Sequence, residues 1–358
     1  MDKNQDGLHE GKQSRKKLLW SIAFILIAAL SVWAVVGQSD SFSFTGFVTY
    51  ISASMNPYLL LAFLSVLLYI FFEGLAILRI AKSLGHSRNL GQGAVYSAAD
   101  IYFSAITPSA TGGQPASAYF MIKDGIPGSV VTVSLILNLV MYTFSTLVFG
   151  VLGIILDFDV FLSFSTLSKV LIILGIVIQG LLATFFILVL KKDAILYKLG
   201  CGGLGLLKKL HILRETDTKK QKLRRALDSY SAASHALGGR RRVVFEALTC
   251  NLLQRGFLIL VYVFTFLATG GALSNALDVF CIESLVFIGC NAIPVPGAMG
   301  VTDFMLLDGF KGIMSAEAAE YLGLLARSIS FYLCVILCGL LILVRYLQIR
   351  FRHTEKTK

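Results

Sequence analysis

Residues 58–80 read YLLLAFLSVLLYIFFEGLAILRI. An α-helix needs about 20 predominantly apolar residues to cross the hydrocarbon core of a bilayer, and this run is long enough. It shows none of the strand-length alternation of apolar and polar residues that is typical of a membrane barrel. The run therefore predicts a membrane-spanning helix.

The same pattern recurs along the chain of 358 residues, of which 56% are hydrophobic and 15% are charged. This composition lies far outside the norm for soluble globular proteins. Further runs long enough to span a bilayer cover residues 18–36, 128–156, 170–190, 243–269 and 318–344. Because backbone groups in lipid must be satisfied within the segment, we predict an all-α polytopic membrane protein with six full spans.

The formal net charge of +11 does not indicate a nucleic-acid partner, because the basic residues cluster in short segments beside the apolar runs. Segment 191–242 carries 14 of the 32 Lys and Arg residues, whereas segments 38–57 and 270–278 carry none. Basic segments flanking spans stay in the cytoplasm. We therefore expect 191–242 and both termini to be cytoplasmic and 270–278 to be external.

The first apolar run follows Lys12, Arg15, Lys16 and Lys17, as the core of a signal peptide would. It is longer than a signal core of about 7–15 residues, so we interpret it as a retained anchor. The expected organisation is a cytoplasmic tail over 1–17, a first membrane half over 18–190 and a basic cytoplasmic loop over 191–242. A second membrane half over 243–347 and a tail over 348–358 follow.

Two apolar stretches, 93–121 and 279–314, are interrupted near their middle by Pro and Gly. The alternation of loop charge requires that neither crosses the bilayer completely. We predict two broken or re-entrant helical hairpins, the first entering from the cytoplasm and the second from outside. Span, hairpin and span then occur twice with opposite orientation, which is the inverted repeat that many transporters use around a central site.

The first interruption reads ITPSATGGQPASAY over 106–119, and the second reads IPVPGAMGVTD over 293–303. Together they resemble the membrane domain of the lysylphosphatidylglycerol synthase and flippase family, which includes the multiple peptide resistance factor. The resemblance extends from about residue 18 to residue 344 and includes Arg327. Two departures are visible in the second element, where Ala298 replaces a glycine and Asp303 replaces a glutamate.

The resemblance implies a protein that binds and flips a phospholipid in a bacterial plasma membrane. Lysyl-phosphatidylglycerol or a related anionic or aminoacylated lipid is the implied cargo, with an effect on surface charge and resistance to cationic peptides. Larger members add a soluble lysyltransferase domain, and nothing after Val344 is long enough to form one. Translocation is therefore preferred to the alternatives, a phosphatidylglycerol lysyltransferase or a scaffold for a separate synthase.

The interruptions supply most of the candidate site. A helix that restarts after a break presents free N–H groups and a partial positive charge, which suit a lipid phosphate. The alternative is a plain kink in which Ser109, Thr111 or Thr302 only caps a helix and Asp303 only favours its first turn. The residues that we expect to bind lipid are Thr107, Ser109, Thr111, Gly112, Gly113, Gln114, Glu283, Pro296, Gly297, Gly300, Asp303 and Arg327.

Ionisable residues within the apolar segments are costly in lipid and mark functional sites by default. They are Glu73, Asp100, Arg255, Glu283 and Arg327. The Arg327 guanidinium could grip a phosphate, and Glu283 or Asp303 could hold a lysyl amine. The alternative is internal pairing of Arg327 with Glu283 or Asp303, and Arg255 could reach the membrane surface by snorkelling.

No cofactor, metal or nucleic acid is expected, because every histidine falls in a tail or loop and no nucleotide-binding motif occurs. Transport would then be passive or ion-coupled. The expected partners are a phospholipid and the membrane, and the sequence leaves homo-oligomerisation open.

Overall fold

A computed structural model describes residues 56–107, 111–191, 240–291, 293 and 300–355, together with isolated positions between 228 and 237. These residues belong to one compact unit. Within them the regular structure is helical and no strand occurs. The predicted span 18–36 and most of the loop 191–242 lie outside the described residues.

The first half contains α1 (Pro57–Ser83), α2 (Leu90–Ile106), α3 (Gly113–Lys123) and α4 (Gly128–Leu156). The helix starts follow the local sequence. The Asn56 side chain accepts hydrogen bonds from the N–H groups of Tyr58 and Leu59, with Pro57 at the first helical position. Asn89 and Gln92 form a capping box at the start of α2.

A short helix, α5 (Phe158–Ser163), leads to α6 (Thr166–Lys191). The second half contains α7 (Arg241–Ala268), a 3-10 turn (Leu273–Asn275), α8 (Ala276–Cys290), α9 (Val301–Phe310), α10 (Ala316–Arg327), a π-helix (Ser328–Leu333) and α11 (Cys334–Glu355). The π-helix makes α10 and α11 one continuous helical segment.

Six described helical segments are long and apolar enough to cross a membrane: Pro57–Ser83, Gly128–Leu156, Thr166–Val189, Arg241–Ala268, Leu273–Cys290 and Ala316–Ile349. Five of them confirm the spans predicted over 58–80, 128–156, 170–190, 243–269 and 318–344. The sixth, Leu273–Cys290, is the first arm of the second predicted hairpin. It is itself long enough to cross, because it begins at Leu273, before the predicted start of that stretch at 279.

Helices α1 and α7 pack side by side in opposite directions. At one end the Asn56 side-chain amide donates to the Ala268 carbonyl at 2.7 Å. At the other end the Arg240 guanidinium donates to the Ser83 carbonyl. The first span of one half is therefore antiparallel to the first span of the other, as an inverted repeat requires.

The ends of the bundle differ in charge. Arg79, Lys82, Arg88 and residues 240–242 lie at one end, which we call the basic end. The connection between α4 and α6 lies at the opposite end with Asp157 and Asp159, and we call it the acidic end.

The first hairpin, formed by α2 and α3, enters and leaves at the basic end. Arg88 precedes α2, and its Nη2 atom donates to the carbonyl of Asp124, which follows α3, at 2.7 Å. The Asp124 carboxylate accepts from the Tyr96 hydroxyl at 2.7 Å and pairs with Arg345 of α11. The two arms therefore return to the same end, which agrees with a re-entrant segment.

The second hairpin, formed by α8 and α9, has its ends at the acidic end. Asp308 near the end of α9 accepts a hydrogen bond from the N–H of Ser165, just before α6, at 2.7 Å. Gly309 lies against Ile282 of α8 and Phe164, where an added Cβ would come within 3.0 Å of both side chains. The two hairpins thus enter the bundle from opposite ends.

Corresponding helices of the two halves make corresponding contacts. In each half the hairpin contacts its own first span, and the second hairpin arm contacts the last span. Across the halves, α2 contacts α11 and α8 contacts α4. Each hairpin is therefore held between elements of both halves, which places its break near the centre of the bundle.

Candidate functional site

A central cavity of ≈ 660 Å³ lies where the two hairpin breaks meet. Its lining includes Ser104 and Gln114 beside the first break and Ile293 and Thr302 beside the second. The charged residues on its wall are Glu73, Asp100, Glu283 and Arg327. The volume falls within the range of small-molecule sites, about 300–1,000 Å³.

The first break is held together by Thr107. Its hydroxyl donates to the Phe103 carbonyl at 2.6 Å and accepts from the N–H of Gly112 at 2.9 Å. The chain thus turns from α2 into α3 while the Thr107 side chain satisfies a backbone donor. Gly112, with no side-chain cap, is the N-cap of α3.

Asp100 of α2 occupies the space in front of the α3 N-terminus. Its carboxylate accepts from the Gln114 amide at 2.7 Å and from the Ser104 hydroxyl at 3.2 Å. An added Cβ on Gly113 would lie 2.1 Å from an Asp100 carboxylate oxygen. A lipid phosphate at this helix end would therefore meet a carboxylate that is already there.

The second break ends at Gly300, whose φ of 76° is a conformation that residues with a side chain rarely adopt. The N–H of Gly300 donates to the Asp303 carboxylate at 3.2 Å. Gly300, rather than Thr302, is the N-cap residue of α9, so the predicted capping role of Thr302 is wrong. The capping role considered for Asp303 agrees with the structure.

Asp303 also binds Arg327. The Arg327 Nη1 atom donates to Asp303 Oδ2 at 2.8 Å, and its Nη2 atom lies 2.8 Å from Asp303 Oδ1. The internal ion pair considered as an alternative for Arg327 is therefore formed, with Asp303 as the partner. The Arg327 side chain is 11% exposed and that of Asp303 is 48% exposed, so the acid is the accessible member.

Among the described residues, Arg255 in α7 is the largest side chain that is fully buried. Its guanidinium carbon lies 4.5 Å from the ring centre of Tyr142 and 3.8 Å from that of Phe287. The Nε and Nη2 atoms have no hydrogen-bond partner among the described residues. The snorkelling interpretation is wrong, because the side chain stays inside and is held by two aromatic faces.

Glu283 of α8 lies on the cavity wall and is 4% exposed. One carboxylate oxygen, Oε2, has no hydrogen-bond partner in the described part of the chain. The charges of Arg327 and Arg255 both act on this carboxyl group. The cavity wall therefore carries a buried acid with unused hydrogen-bonding capacity, and the buried Arg255 packs against two residues of the lining, Tyr142 and Phe287.

Glu73 of α1 and Asp100 of α2 line the same cavity, and Glu73 accepts from the Ser97 hydroxyl, one helical turn before Asp100 on α2, at 3.2 Å. Both were recognised in the sequence as costly ionisable residues, but neither was included in the expected lipid site. Nothing in the spacing of two residues on different helices could have shown that their carboxyl groups meet.

The predicted residues are thus divided by position. Gln114, Glu283, Thr302 and Arg327 line the cavity, whereas Thr107, Gly112 and Gly113 build the first break. Thr111 is exposed. Ser109, Pro296 and Gly297 lie outside the described residues.

Residues 18–338 match the family described as Lysylphosphatidylglycerol synthase TM region. The match covers most of the chain and includes both hairpins and the charged cavity residues. The chain belongs to this family. Comparison with curated proteins and with solved structures finds no match.

Membership of the lysylphosphatidylglycerol synthase membrane-region family gives the cavity a chemical context. The family supports a membrane protein with a role related to lysyl-phosphatidylglycerol. The six long apolar helical segments found among the described residues agree with a multi-span protein that meets lipid over its outer surface.

Proposed function

We propose that this protein binds the headgroup of a phospholipid in the central cavity and moves the lipid between leaflets of the bacterial plasma membrane. Lysyl-phosphatidylglycerol, or a related anionic or aminoacylated lipid, is the proposed cargo. Such transport would change the surface charge of the cell and its resistance to cationic peptides. Both termini and the loop 191–242 would face the cytoplasm, as the basic residues indicate.

The observation that carries the proposal is the buried acid Glu283 on the cavity wall, together with the buried guanidinium of Arg255, which packs against two lining residues, Tyr142 and Phe287. Glu283 and Arg255 are both buried, and each retains polar atoms without a partner among the described residues. Leaving such groups unpaired in a low-dielectric interior is costly. The ammonium of a lipid headgroup could satisfy Glu283, and the phosphate could bind Arg327, a cation on the cavity wall.

The shape of the cavity supports a lipid rather than a free solute. Leu182 lines the cavity and is 40% exposed on the outer face of α6. The polar wall therefore continues into an apolar surface that meets the bilayer. A lipid could place its headgroup among the charges while its acyl chains remain in the hydrocarbon.

The sequence suggests that Arg327 is a free phosphate ligand, and the proposal differs on this point. Its guanidinium is already engaged with Asp303 at the second break. A phosphate that displaced Asp303 would gain the planar fork of Arg327 and release the N-terminus of α9. Arg327 and Asp303 would then form an exchangeable contact at the cavity wall.

Reconstitution into vesicles tests the proposal. Wild-type protein should speed the movement of fluorescent lysyl-phosphatidylglycerol between leaflets, measured as loss of protection from a membrane-impermeant quencher. Glu283→Gln should slow lysyl-phosphatidylglycerol by about tenfold but affect phosphatidylglycerol less, because only the lysyl lipid has an ammonium for the carboxylate to bind.

Glu246→Gln is the matched control. Glu246 pairs with Arg79 and Arg242 at the basic end, away from the cavity lining. Equal lipid movement in protein-free and protein-containing vesicles would reject transport. Formation of lysyl-phosphatidylglycerol from lysyl-transfer RNA and phosphatidylglycerol by the purified protein would favour the transferase alternative.

A further inference from the structure

Two buried carboxyl groups from different helices meet on the wall of the cavity. Glu73 of α1 is 6% exposed and Asp100 of α2 is 7% exposed. Glu73 accepts from the Ser97 hydroxyl of α2, and Asp100 follows Ser97 by three residues on the same face of that helix, so the two carboxyl groups are neighbours on the cavity wall. Two neighbouring carboxyl groups in a buried site repel each other when both are ionised, so the pair favours holding one proton.

The hydrogen bonds around the pair come from neutral groups. Glu73 Oε2 accepts from the Ser97 hydroxyl at 3.2 Å and from the Gln254 amide at 3.1 Å. Asp100 accepts from Ser104 and Gln114. These donors can stabilise one negative charge shared by the pair, but none of them cancels two.

The charged and titratable side chains that face the pair are few. Tyr69 of α1 and the two thiols Cys334 and Cys338 of α11 lie near Glu73, and Tyr142 of α4 and Arg255 of α7 lie near Tyr69. Arg255 is the single cation in this group, and its guanidinium lies over the Tyr142 and Phe287 rings instead of donating to either carboxyl. No described cation therefore replaces the proton between Glu73 and Asp100.

One further atom points to an exchangeable site. The Gln254 side-chain oxygen is buried beside Glu73 and has no hydrogen-bond partner in the described residues. Gln254, Glu73 and Asp100 all line the cavity, so a proton or a water that carries it can reach the pair from the same space that would hold the headgroup.

We propose that Glu73 and Asp100 together bind one exchangeable proton and that its movement across the membrane is coupled to movement of the lipid. This inference rests on the proposed transport function and adds its energy source. The proton enters from water on one side of the membrane, occupies the carboxyl pair and leaves to water on the other side, with no bond in the lipid changed.

The location of the pair explains how the coupling would reach the hairpin. Asp100 holds Gln114 of α3 and faces Gly113 at the first break. Loss of the shared proton would leave two adjacent negative charges, one on α1 and one on α2. Their repulsion would push the first hairpin away from the first span, whereas protonation would draw them together.

Vesicles with an imposed pH difference test this coupling. The membrane potential is clamped to zero with potassium and valinomycin, and fluorescent lysyl-phosphatidylglycerol is followed to its steady distribution. If one proton moves with each lipid, one unit of pH difference should shift the leaflet ratio of labelled lipid by about tenfold. Wild-type protein that equilibrates the lipid without any such shift would overturn the inference and leave the proposed function intact.

Glu73→Gln and Asp100→Asn are the informative variants, because each keeps the shape of the side chain and removes its titration. Both should equilibrate lipid to the same leaflet ratio with and without the pH difference, and they also control for any effect of pH on the lipid itself. Glu246→Gln at the basic end should keep the tenfold shift. A full shift in Glu73→Gln would reject the pair as the proton site.

Two further outcomes are decisive even if a variant fails to fold, because they use the wild-type protein alone. A leaflet ratio that follows a sodium gradient instead of a pH gradient would overturn the assignment of the ion. Absence of any lipid movement in wild-type vesicles would overturn the proposed function, and the coupling with it.

Discussion

At its break the first hairpin is held by hydrogen bonds within itself, whereas the second is held by an ion pair to a helix outside it. In the first, Thr107 binds the N–H of Gly112 and Asp100 binds Gln114. In the second, Asp303 binds Arg327 at the end of α10. The first break can therefore move as a unit, whereas movement of the second requires an ion pair to part.

The ends of the hairpins differ as well. The first hairpin is tied to α11 by the partly buried pair of Asp124 and Arg345, and Arg88 joins its two arms. The second is tied at Asp308 to the N–H of Ser165 and to the neighbouring Lys311. Each hairpin thus has one anchored end and a break that faces the cavity. The contacts that must change for a break to move differ in strength between the two hairpins.

The largest effect is expected from Gly113→Ala in the first break. An added Cβ would lie 2.1 Å from the Ser104 hydroxyl and 2.5 Å from the Asp100 backbone carbonyl. Because a backbone atom cannot move aside cheaply, the substitution should cost about 3 kcal/mol of unfolding free energy. Unfolding in mixed detergent micelles measures this loss.

Gly300→Ala sharpens the contrast between the breaks. No atom of the described residues lies within 4 Å of a Cβ added at Gly300, so the expected cost comes from the positive φ and should be about 1 kcal/mol. Gly180→Ala on α6, where an added Cβ also meets nothing within 4 Å, is the control and should cost nothing. Equal losses for Gly113→Ala and Gly300→Ala would mean that the close approach at the first break is not maintained.

Much of this architecture follows from the sequence. Runs such as 58–80 predict spans because bilayer thickness sets the length of an apolar helix. Pro and Gly in 106–119 and 293–303 predict breaks, and the alternation of basic segments predicts that the hairpins enter from opposite ends. These features depend on local composition, so they can be found without any knowledge of packing.

The polar contacts inside the bundle could not be predicted in the same way. The meeting of Glu73 with Asp100 depends on how α1 packs against α2, and the burial of Arg255 depends on Tyr142 and Phe287 from two other helices. For Arg327 the sequence left two partners open, and only the geometry selects Asp303. Such contacts are set by tertiary packing, which leaves no periodic pattern along the chain.

A middle-sized effect is expected at the ion pair of the second break. Arg327→Met should lower the free energy of unfolding by about 2 kcal/mol, because Asp303 loses two charged contacts while the Arg327 site is largely buried. The double variant Arg327→Met with Asp303→Asn should recover part of that loss. A double-mutant cycle, with Arg327→Lys as the variant that keeps the charge without the planar fork, measures the coupling.

The same variants separate stability from lipid binding. If the exchangeable contact proposed for Arg327 is correct, the double variant should recover stability but not lipid transport. Gln114→Leu in the first break is the comparison for Arg327→Met in the second, because it removes one hydrogen bond to Asp100 without removing a charge. Normal transport by a stable Arg327→Met protein would eliminate Arg327 from the lipid site.

The smallest effect is expected at the anchored end of the second hairpin and depends on pH. Burial opposes ionisation of Asp308, but hydrogen bonds from Lys311, Ser168 and Ser165 outweigh it and lower the pKa of this carboxyl from 3.8 to about 2. Because the pKa of Asp308 is lower in the folded protein than in the unfolded chain, the ionised carboxylate stabilises the fold at pH values above the ordinary pKa of 3.8. That contribution is lost as the pH falls from 3.8 towards about 2.

Asp308→Asn should therefore lower the melting temperature at neutral pH by an amount that corresponds to about 1 kcal/mol, since the carboxylate accepts one backbone and several side-chain hydrogen bonds at a partly exposed position. The difference from wild type should stay constant down to the ordinary pKa and shrink below it. Asp159→Asn, an exposed acid at the same end, is the control. A difference that persists unchanged to about pH 2 would show that the shape of Asp308, and not its charge, anchors the second hairpin.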